Sequence, residues 1–444
     1  MQNLQNLQTS QKLQNPQQDV NKPQNQPLKI LIRLPNWLGD AVMSTPSLEL
    51  LKEHFSKARF CLVAPKAVLE VFMGDKDIES FIIDDSKKAK NRFYATYALA
   101  RRIKADFGVP DIAITLTNHF FSALLLWLTN ARLRVGYARF LGGILLNQNV
   151  PKFRNVHQVL SYVNLVIYAL DSADLSKAND LAKKAGVLCL KDLANNARLL
   201  ESITPNLALV LAQDAIIPSE FLDIFSQNQN ANPPKIIGLN PAAAYGNAKR
   251  WLKEYFAQVA GYFASRGEVV VIFGTKSDYE LGDFIKNNAL DFAKNSAQNL
   301  AQNSVQDFGQ NLKSSPQNQT QNLAQNPTKN IHQNILNLCG KTDIAGLMKS
   351  ISKVSVMITN DSGPMHLSCA LGVPVIALFG PTNSKETNGF RAKDFVILSK
   401  NVSCAPCKKR ECPLPKGEGY HKCMVDLSPT LVIDWANKIL SEIS

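Results

Sequence analysis

No apolar run in this chain approaches the ~20 residues that a membrane-crossing helix needs. The longest apolar stretch, Phe120 to Leu128, covers less than half that length, so no transmembrane helix is expected. The first 27 residues are Gln, Asn and Pro with scattered Leu, and lack the basic start and apolar centre of an export signal. Cytoplasmic residence is the expectation. Also missing are the Gly-x-x-x-x-Gly-Lys-Ser/Thr loop of P-loop ATPases and an aromatic-rich strand of the RNA-recognition kind. Lys and Arg exceed Asp and Glu by 49 to 36, a net charge of +13, but the basic residues are dispersed. A nucleic-acid-binding protein is therefore the weaker alternative, and no nucleic-acid partner is expected. The charge still favours an anionic partner of some kind.

With 45% hydrophobic and 19% charged residues the composition is globular, and 444 residues suggest two ordinary domains. Low-complexity text occurs twice. Gln-Asn-Leu recurs in the opening segment and again at 298–300, 310–312 and 321–323. Neither segment can build a core, so residues 1–27 read as a disordered tail and about 287–333 as a disordered Asn/Gln-rich insertion.

The remainder alternates strand and helix. Strands are predicted at Lys29–Leu34, Arg59–Ala64, Ile78–Ile83 and Asp111–Leu116, with helices near Tyr94–Ile103 and Phe120–Leu128. A second series has strands at Lys235–Leu239, Glu268–Phe273, Ile335–Leu338, Val354–Thr359 and Val373–Phe379, and a helix at Leu252–Arg266. Such alternation implies parallel sheets covered on both faces. The expected fold is α/β with two Rossmann-like, doubly wound domains facing across a cleft, at residues 28–205 and 235–428. A linker region at 206–234 joins them, and a final helix at 429–444 is expected to pack back across the first domain.

Chemistry should sit where strands run into helices. Gly39-Asp40 follows the first strand, Gly39 permitting unusual backbone angles and Asp40 lying where a helix field favours the ionised carboxylate. Helix capping is the plainer role for Asp40. In the second series, small residues from Asn240 lead to Lys249-Arg250-Trp251, cations suited to a diphosphate. Thr359-Asn-Asp361-Ser362-Gly363-Pro364-Met365-His366 repeats the arrangement, with the Ser362 and Gly363 amides facing outward for an anion.

Gly39-Asp40 with Ser44-Thr45-Pro46, Ala248-Lys249-Arg250-Trp251, Asn360-Asp361-Ser362-Gly363 with His366, and Phe379-Gly380-Pro381-Thr382 together resemble glycosyltransferase family 9, the lipopolysaccharide heptosyltransferases. The likeness spans most of residues 29–444. It implies the GT-B arrangement and an inverting, metal-independent transfer of heptose from ADP-heptose to a lipid A core acceptor. The Lys-Arg-Trp form and late cysteines look most like members that add the second inner-core heptose. Members with another acceptor or donor are the alternative within the fold. On this resemblance Asp40 is the general base and Lys249 a catalytic and donor-binding cation. Arg250, Asp361, Ser362, Gly363, His366, Thr275 and Asp278 face the donor, with no cofactor for catalysis. The first domain holds the acceptor, with Arg33, Asn36, Trp37 and Arg134 assigned to it. Its basic residues also suggest peripheral association with the cytoplasmic face of the inner membrane.

Of eight cysteines, Cys61, Cys189, Cys339 and Cys369 stand singly in apolar contexts. Cys404, Cys407, Cys412 and Cys423 cluster. Four thiolates suit a structural zinc, yet only the first pair has knuckle spacing, so reduced cysteines packing a loop-rich lobe remain the equal alternative.

Deleting residues 1–27, or replacing 290–330 with a short linker, is expected to leave turnover within a few-fold of the parent. A large loss from a folded shortened protein would show the segment is not passive.

Overall fold

The computed structural model describes residues 26–137, 140–173, 178–187, 189–227, 235–291 and 331–443. The first sheet consists of β1 (Lys29–Arg33), β2 (Arg59–Ala64), β3 (Ile78–Ile83), β4 (Ile112–Thr115), β5 (Leu133–Tyr137) and β6 (Gln148–Val150). The second consists of β7 (Ile236–Asn240), β8 (Val269–Ile272), β9 (Ile335–Asn337), β10 (Val356–Asn360), β11 (Val375–Phe379) and β12 (Phe395–Ser399). Their orders are β3-β2-β1-β4-β5-β6 and β12-β11-β10-β7-β8-β9. Counted from its own first strand, each sheet is a doubly wound 3-2-1-4-5-6. All pairings are parallel.

Parallel strands covered on both faces read as continuous apolar runs, and their side chains alternate between two cores. Leu31 of β1 joins the core formed with the Arg92–Asp106 and Phe120–Leu128 helices, while Ile30 and Ile32 point to the opposite face. That opposite core does not stop at the domain boundary. It runs from Val42 and Met43 into Met365, Leu367 and Cys369, so one apolar cluster spans both halves.

Several expectations need correction. The Pro429–Glu442 helix packs not on the first half but on the second. Val432, Ala436, Ile439 and Leu440 bury into the core of the Lys253–Ser265 helix, and Lys235 Nζ donates to the Leu440 carbonyl at 2.8 Å. Residues 287–291 are helical rather than part of the insertion, and Ala289 is buried against Gly261. Residues 331–333 are also described, with Ile331 buried; 292–330, the tail through residue 25 and residues 228–234 of the linker region lie outside the described residues. Strands β5, β6 and β12 were not expected. Arg134 and Gly136 break the apolar run of β5, β6 has only three residues, and β12 is a half-exposed edge strand.

At the carboxyl edge of the first sheet, Arg33 forms a buried ion pair with Asp84 at 2.7 Å, spanning from β1 past β2 to the end of β3. Burial alone would raise the Asp84 carboxyl, but Arg33 and Ser86 outweigh it and hold the group below its usual value. The pair's stabilisation is therefore present above the ordinary carboxylate range and lost as pH falls through the depressed value. Asp84→Ala strands the buried guanidinium and should cost ~3–5 kcal/mol in denaturant unfolding. A loss under ~1 kcal/mol would show the pair to be inert.

Candidate active site

The first strand ends at Arg33, and the chain turns through Asn36 and a half-exposed Trp37 into the Leu38–Met43 helix. Trp37 is the extended N-cap and makes no side-chain cap bond. Asp40 in the first turn is thus not the helix cap. Its Oδ1 accepts a 3.1 Å hydrogen bond from the Tyr162 hydroxyl, which reaches across from the Gln158–Ser172 helix. Burial raises the Asp40 carboxyl above its usual value; the Tyr162 bond, Lys152 and Lys249 only partly oppose this. The helix field expected to favour ionisation is therefore outweighed by desolvation. The phenol of Tyr162, raised well above its ordinary value chiefly by burial and then by Asp40, stays a proton donor.

Gly39 is needed for space and not for backbone angles. A Cβ there would lie 2.7 Å from His366 Cδ2 on the Gly363–Ala370 helix of the second half. Reciprocally, a Cβ on Gly363 would lie 2.8 Å from a Leu38 methyl. The two glycines let the Asp40 helix and the proposed anion-binding helix touch directly. His366 is buried and its imidazole is lowered to about 4 by that burial, so the ring is neutral at ordinary pH. Its Nδ1 has no hydrogen-bond partner among the described residues.

Behind that helix the loops of the second sheet are stitched together by buried amides. Asn240, at the end of β7, donates to Ser362 Oγ at 2.8 Å and to Thr359 Oγ1 at 3.1 Å. Asn360, at the end of β10, accepts from the Trp251 amide at 3.0 Å and donates to the Pro241 carbonyl at 2.8 Å. Trp251 is packed, its indole N–H bonded to the Leu427 carbonyl at 2.9 Å. This neighbourhood holds Lys249 on a short turn, where its Nζ lies 2.6 Å from Asp361 Oδ2. Thr382 donates to the same carboxylate oxygen at 2.7 Å. Lys249, Asp361, Ser362, Gly363 and His366 are thus brought together, with Asp40 on the facing helix.

Other expected residues are placed differently. Arg250 turns from Asp361 toward Asp278, 3.9 Å away, beside a cavity of about 280 Å³ that also includes Asn247, Trp251 and Tyr420. Thr275 and Asp278 close on each other, the Thr275 amide donating to Asp278 at 3.0 Å. Arg33 is committed to Asp84 and orients Asn36, to whose Oδ1 it donates at 2.7 Å. Arg134 lies near the start of β5, opposite the edge where the loops gather, and its guanidinium bonds the Ala131 and Leu145 carbonyls at 2.6 and 2.8 Å. It does not belong to this site. Asp75-Lys76-Asp77 has the Asp-x-Asp spacing of metal-dependent transferases, but both carboxylates face Lys52, at 2.9 and 3.4 Å.

Cys404, Cys407, Cys412 and Cys423 line one cavity of about 10 Å³. Among the described residues no three His, Cys, Asp or Glu side chains are grouped to hold a metal ion. What the lobe does hold is the loops that carry Lys249 and Thr382. Ala248 donates its amide to the Arg410 carbonyl at 2.9 Å, His421 bonds the Ala248 carbonyl at 2.9 Å, and Lys408 donates its amide to the Pro381 carbonyl at 2.7 Å. Sequence reading missed Tyr162 and Asn240. Tyr162 had no local signal, since it meets Asp40 across 122 positions. Asn240 did have one, as a polar residue ending an apolar strand.

A profile for glycosyltransferase family 9 (heptosyltransferase) matches residues 96–302 and 299–417. The chain is 29% identical to lipooligosaccharide heptosyltransferase 2 of Campylobacter jejuni over 93% of its own length and 98% of that protein. The structure of ADP-heptose lps heptosyltransferase II from E. coli shares its fold with a TM-score of 0.64 at 22% identity, covering 94% of this chain and 100% of that one. A glycosyl transferase family 9 structure from Veillonella parvula superposes with a TM-score of 0.63 at 22% identity, over 94% and 97%.

Gly39→Ala should push the two helices apart and lower stability by ~1–3 kcal/mol. Combined with His366→Ala, the total loss should fall short of the sum of the single losses by at least ~0.5 kcal/mol, because the ring is what the methyl strikes. Strict additivity in thermal or urea unfolding would contradict this contact.

Proposed function

Because the chain belongs to glycosyltransferase family 9 and has the GT-B arrangement of two facing Rossmann-like sheets, we propose that it is a heptosyltransferase II, transferring heptose from ADP-heptose to the first heptose of the lipopolysaccharide inner core. The observation that carries the reading is a partly buried carboxylate, Asp40, on a helix in direct contact with the helix that opens at Ser362 and Gly363. A base and an anion-ready backbone thereby share one cleft.

In the displacement, the acceptor hydroxyl oxygen attacks the anomeric carbon from the face opposite the diphosphate. As the new C–O bond forms, the hydroxyl proton passes to Asp40, and the old C–O electron pair leaves with the β-phosphate of ADP. Asp40 suits this role because burial raises its proton affinity while Tyr162 holds one carboxylate oxygen. Lys249 meets the departing diphosphate by exchanging Asp361 for phosphate oxygens, and the Ser362 and Gly363 amides take further negative charge. His366, neutral and with an Nδ1 that has no partner among the described residues, can bond the donor without repelling or attracting its charge. The Thr275–Asp278 turn and Arg250 border the nucleoside side. Asn36 and Trp37 border the acceptor, with Arg33 acting through Asn36. The acceptor is lipid-borne, so the enzyme works as a peripheral protein on the cytoplasmic face of the inner membrane. The cysteine lobe takes no part in the displacement, and a zinc ion there would be structural. Metal analysis of untagged protein reads this out, about one equivalent supporting it and less than half an equivalent rejecting it.

Incubation with ADP-heptose and a monoheptosylated core acceptor should add one heptose by mass. No gain, or a gain only on the bare acceptor, would reject this assignment. Asp40→Asn should lower turnover by ~10²-fold or more while ADP still stabilises the protein in a thermal shift. Lys249→Ala should weaken ADP binding and turnover together. With the Asp40 carboxyl raised, kcat/KM should climb as pH rises through that raised value, because only the ionised form accepts the proton. Near-normal turnover of Asp40→Asn would remove it as the base.

A further inference from the structure

Three segments at the surface of the first half leave large apolar side chains in water. Phe93 and Tyr94 open the Arg92–Asp106 helix, 61% and 70% exposed. Phe120 and Trp127, seven positions apart, share a stripe of the Phe120–Leu128 helix and are 37% and 49% exposed. Leu141 and Ile144 stand 69% and 79% exposed on the short Phe140–Leu145 turn. The segments touch. Phe93 meets the rings of Phe120 and Phe121 edge-on at 6.3 and 4.9 Å, and a Cβ on Gly142 would lie 3.7 Å from Ala123 and Phe120. Scattered exposed apolar residues need no explanation, but a contiguous set does.

The charge around the patch has one sign. Residues 86–101 contain Lys87, Lys88, Lys90, Arg92 and Arg101 and no acid, while 120–128 and 140–145 contain no charged residue. Of the two acids just before them, Asp84 is buried against Arg33 and Asp85 is paired with Lys88 at 2.8 Å. Topology sets the location. The chain leaves β3, β4 and β5 at the carboxyl edge of the first sheet, the edge where β1 delivers Asp40, so Phe93, Tyr94 and Phe120 stand at that edge, while Trp127 and Ile144 run toward the opposite one, where Leu145 meets Arg134.

We infer that this face docks on an anionic lipid bilayer, with its aromatic rings at headgroup depth and its lysines on lipid phosphates. Aromatic side chains ringed by cations fit that interface. A second copy of this chain is a poor occupant, because it would set the same cations against one another. The inference rests on the proposed function for its purpose, since it brings a lipid-borne acceptor to the Asp40 edge. Its test reads vesicle binding and not transfer, so either can fail alone.

The experiment is co-sedimentation of the full chain with phosphatidylcholine vesicles with and without phosphatidylglycerol. Wild type should bind the anionic vesicles, less so at high salt. Tyr94→Ser/Ile144→Ser should cut partitioning by ~10-fold or more, as expected for two apolar side chains leaving an interface. Lys88→Glu/Lys90→Glu should also reduce it. ADP stabilisation and circular dichroism should match wild type in both variants. Absence of binding, or binding that the Tyr94→Ser/Ile144→Ser variant retains, overturns the proposal. A dimer in light scattering that this variant dissolves, with vesicle binding unchanged, would assign the face to self-association and overturn it too.

Discussion

Everything distinctive about the cleft depends on how closely two short helices approach. Leu38–Met43 and Gly363–Ala370 meet with Gly39 under the His366 ring and Gly363 under Leu38. A methyl group at either glycine would open a gap. Contact at that distance removes water from Asp40 and from His366, and the two respond in opposite senses. The acid is held toward its protonated form and the imidazole toward neutrality. Desolvation is thus not a by-product of the fold here; it sets the proton affinity of the carboxylate that faces the Ser362–Gly363 helix start.

The second half solves a different problem, that of keeping polar loops rigid without filling the space a ligand would need. Asn240 and Asn360 each tie two loops, and Thr382 and Lys249 converge on Asp361. The cysteine-rich lobe braces these loops from outside through the Arg410 and Pro381 carbonyls. Prepaid rigidity of this kind leaves less ordering to be done when a charged ligand arrives.

Much of this was legible in the sequence. Apolar runs such as Ile30-Leu31-Ile32 and Val269–Ile272 announce buried parallel strands, and the alternation with helices gives the two-sheet plan. The loops at Asp40, Lys249 and Asp361 could be picked out because each follows such a run. What could not be read was anything set by tertiary contact. Tyr162 finds Asp40 only after the chain folds, the space required at Gly39 exists only once His366 is opposite, and Arg134 looked like a site cation until its strand register put it at the wrong end of β5. Short edge strands such as Gln148–Val150 carry too few residues for a pattern to form. The final helix was recognisable as amphipathic, but which half it covers depends on shape complementarity with the Lys253–Ser265 helix, and that is invisible in one segment.

The shared core has a consequence for modularity. Two sheets of identical strand order look like interchangeable parts, and a chimera could be cut between them in the linker. Yet Val42, Met43, Met365 and Leu367 belong to one apolar cluster, so a half taken from another enzyme would arrive with half an interface. Leu38 and Gly39 would have to travel with Gly363 and His366 for the graft to close. The unit to be kept together in this architecture is then the matched pair of helices across the cleft, which ties the first sheet to the second more strongly than the symmetry of the sheets suggests.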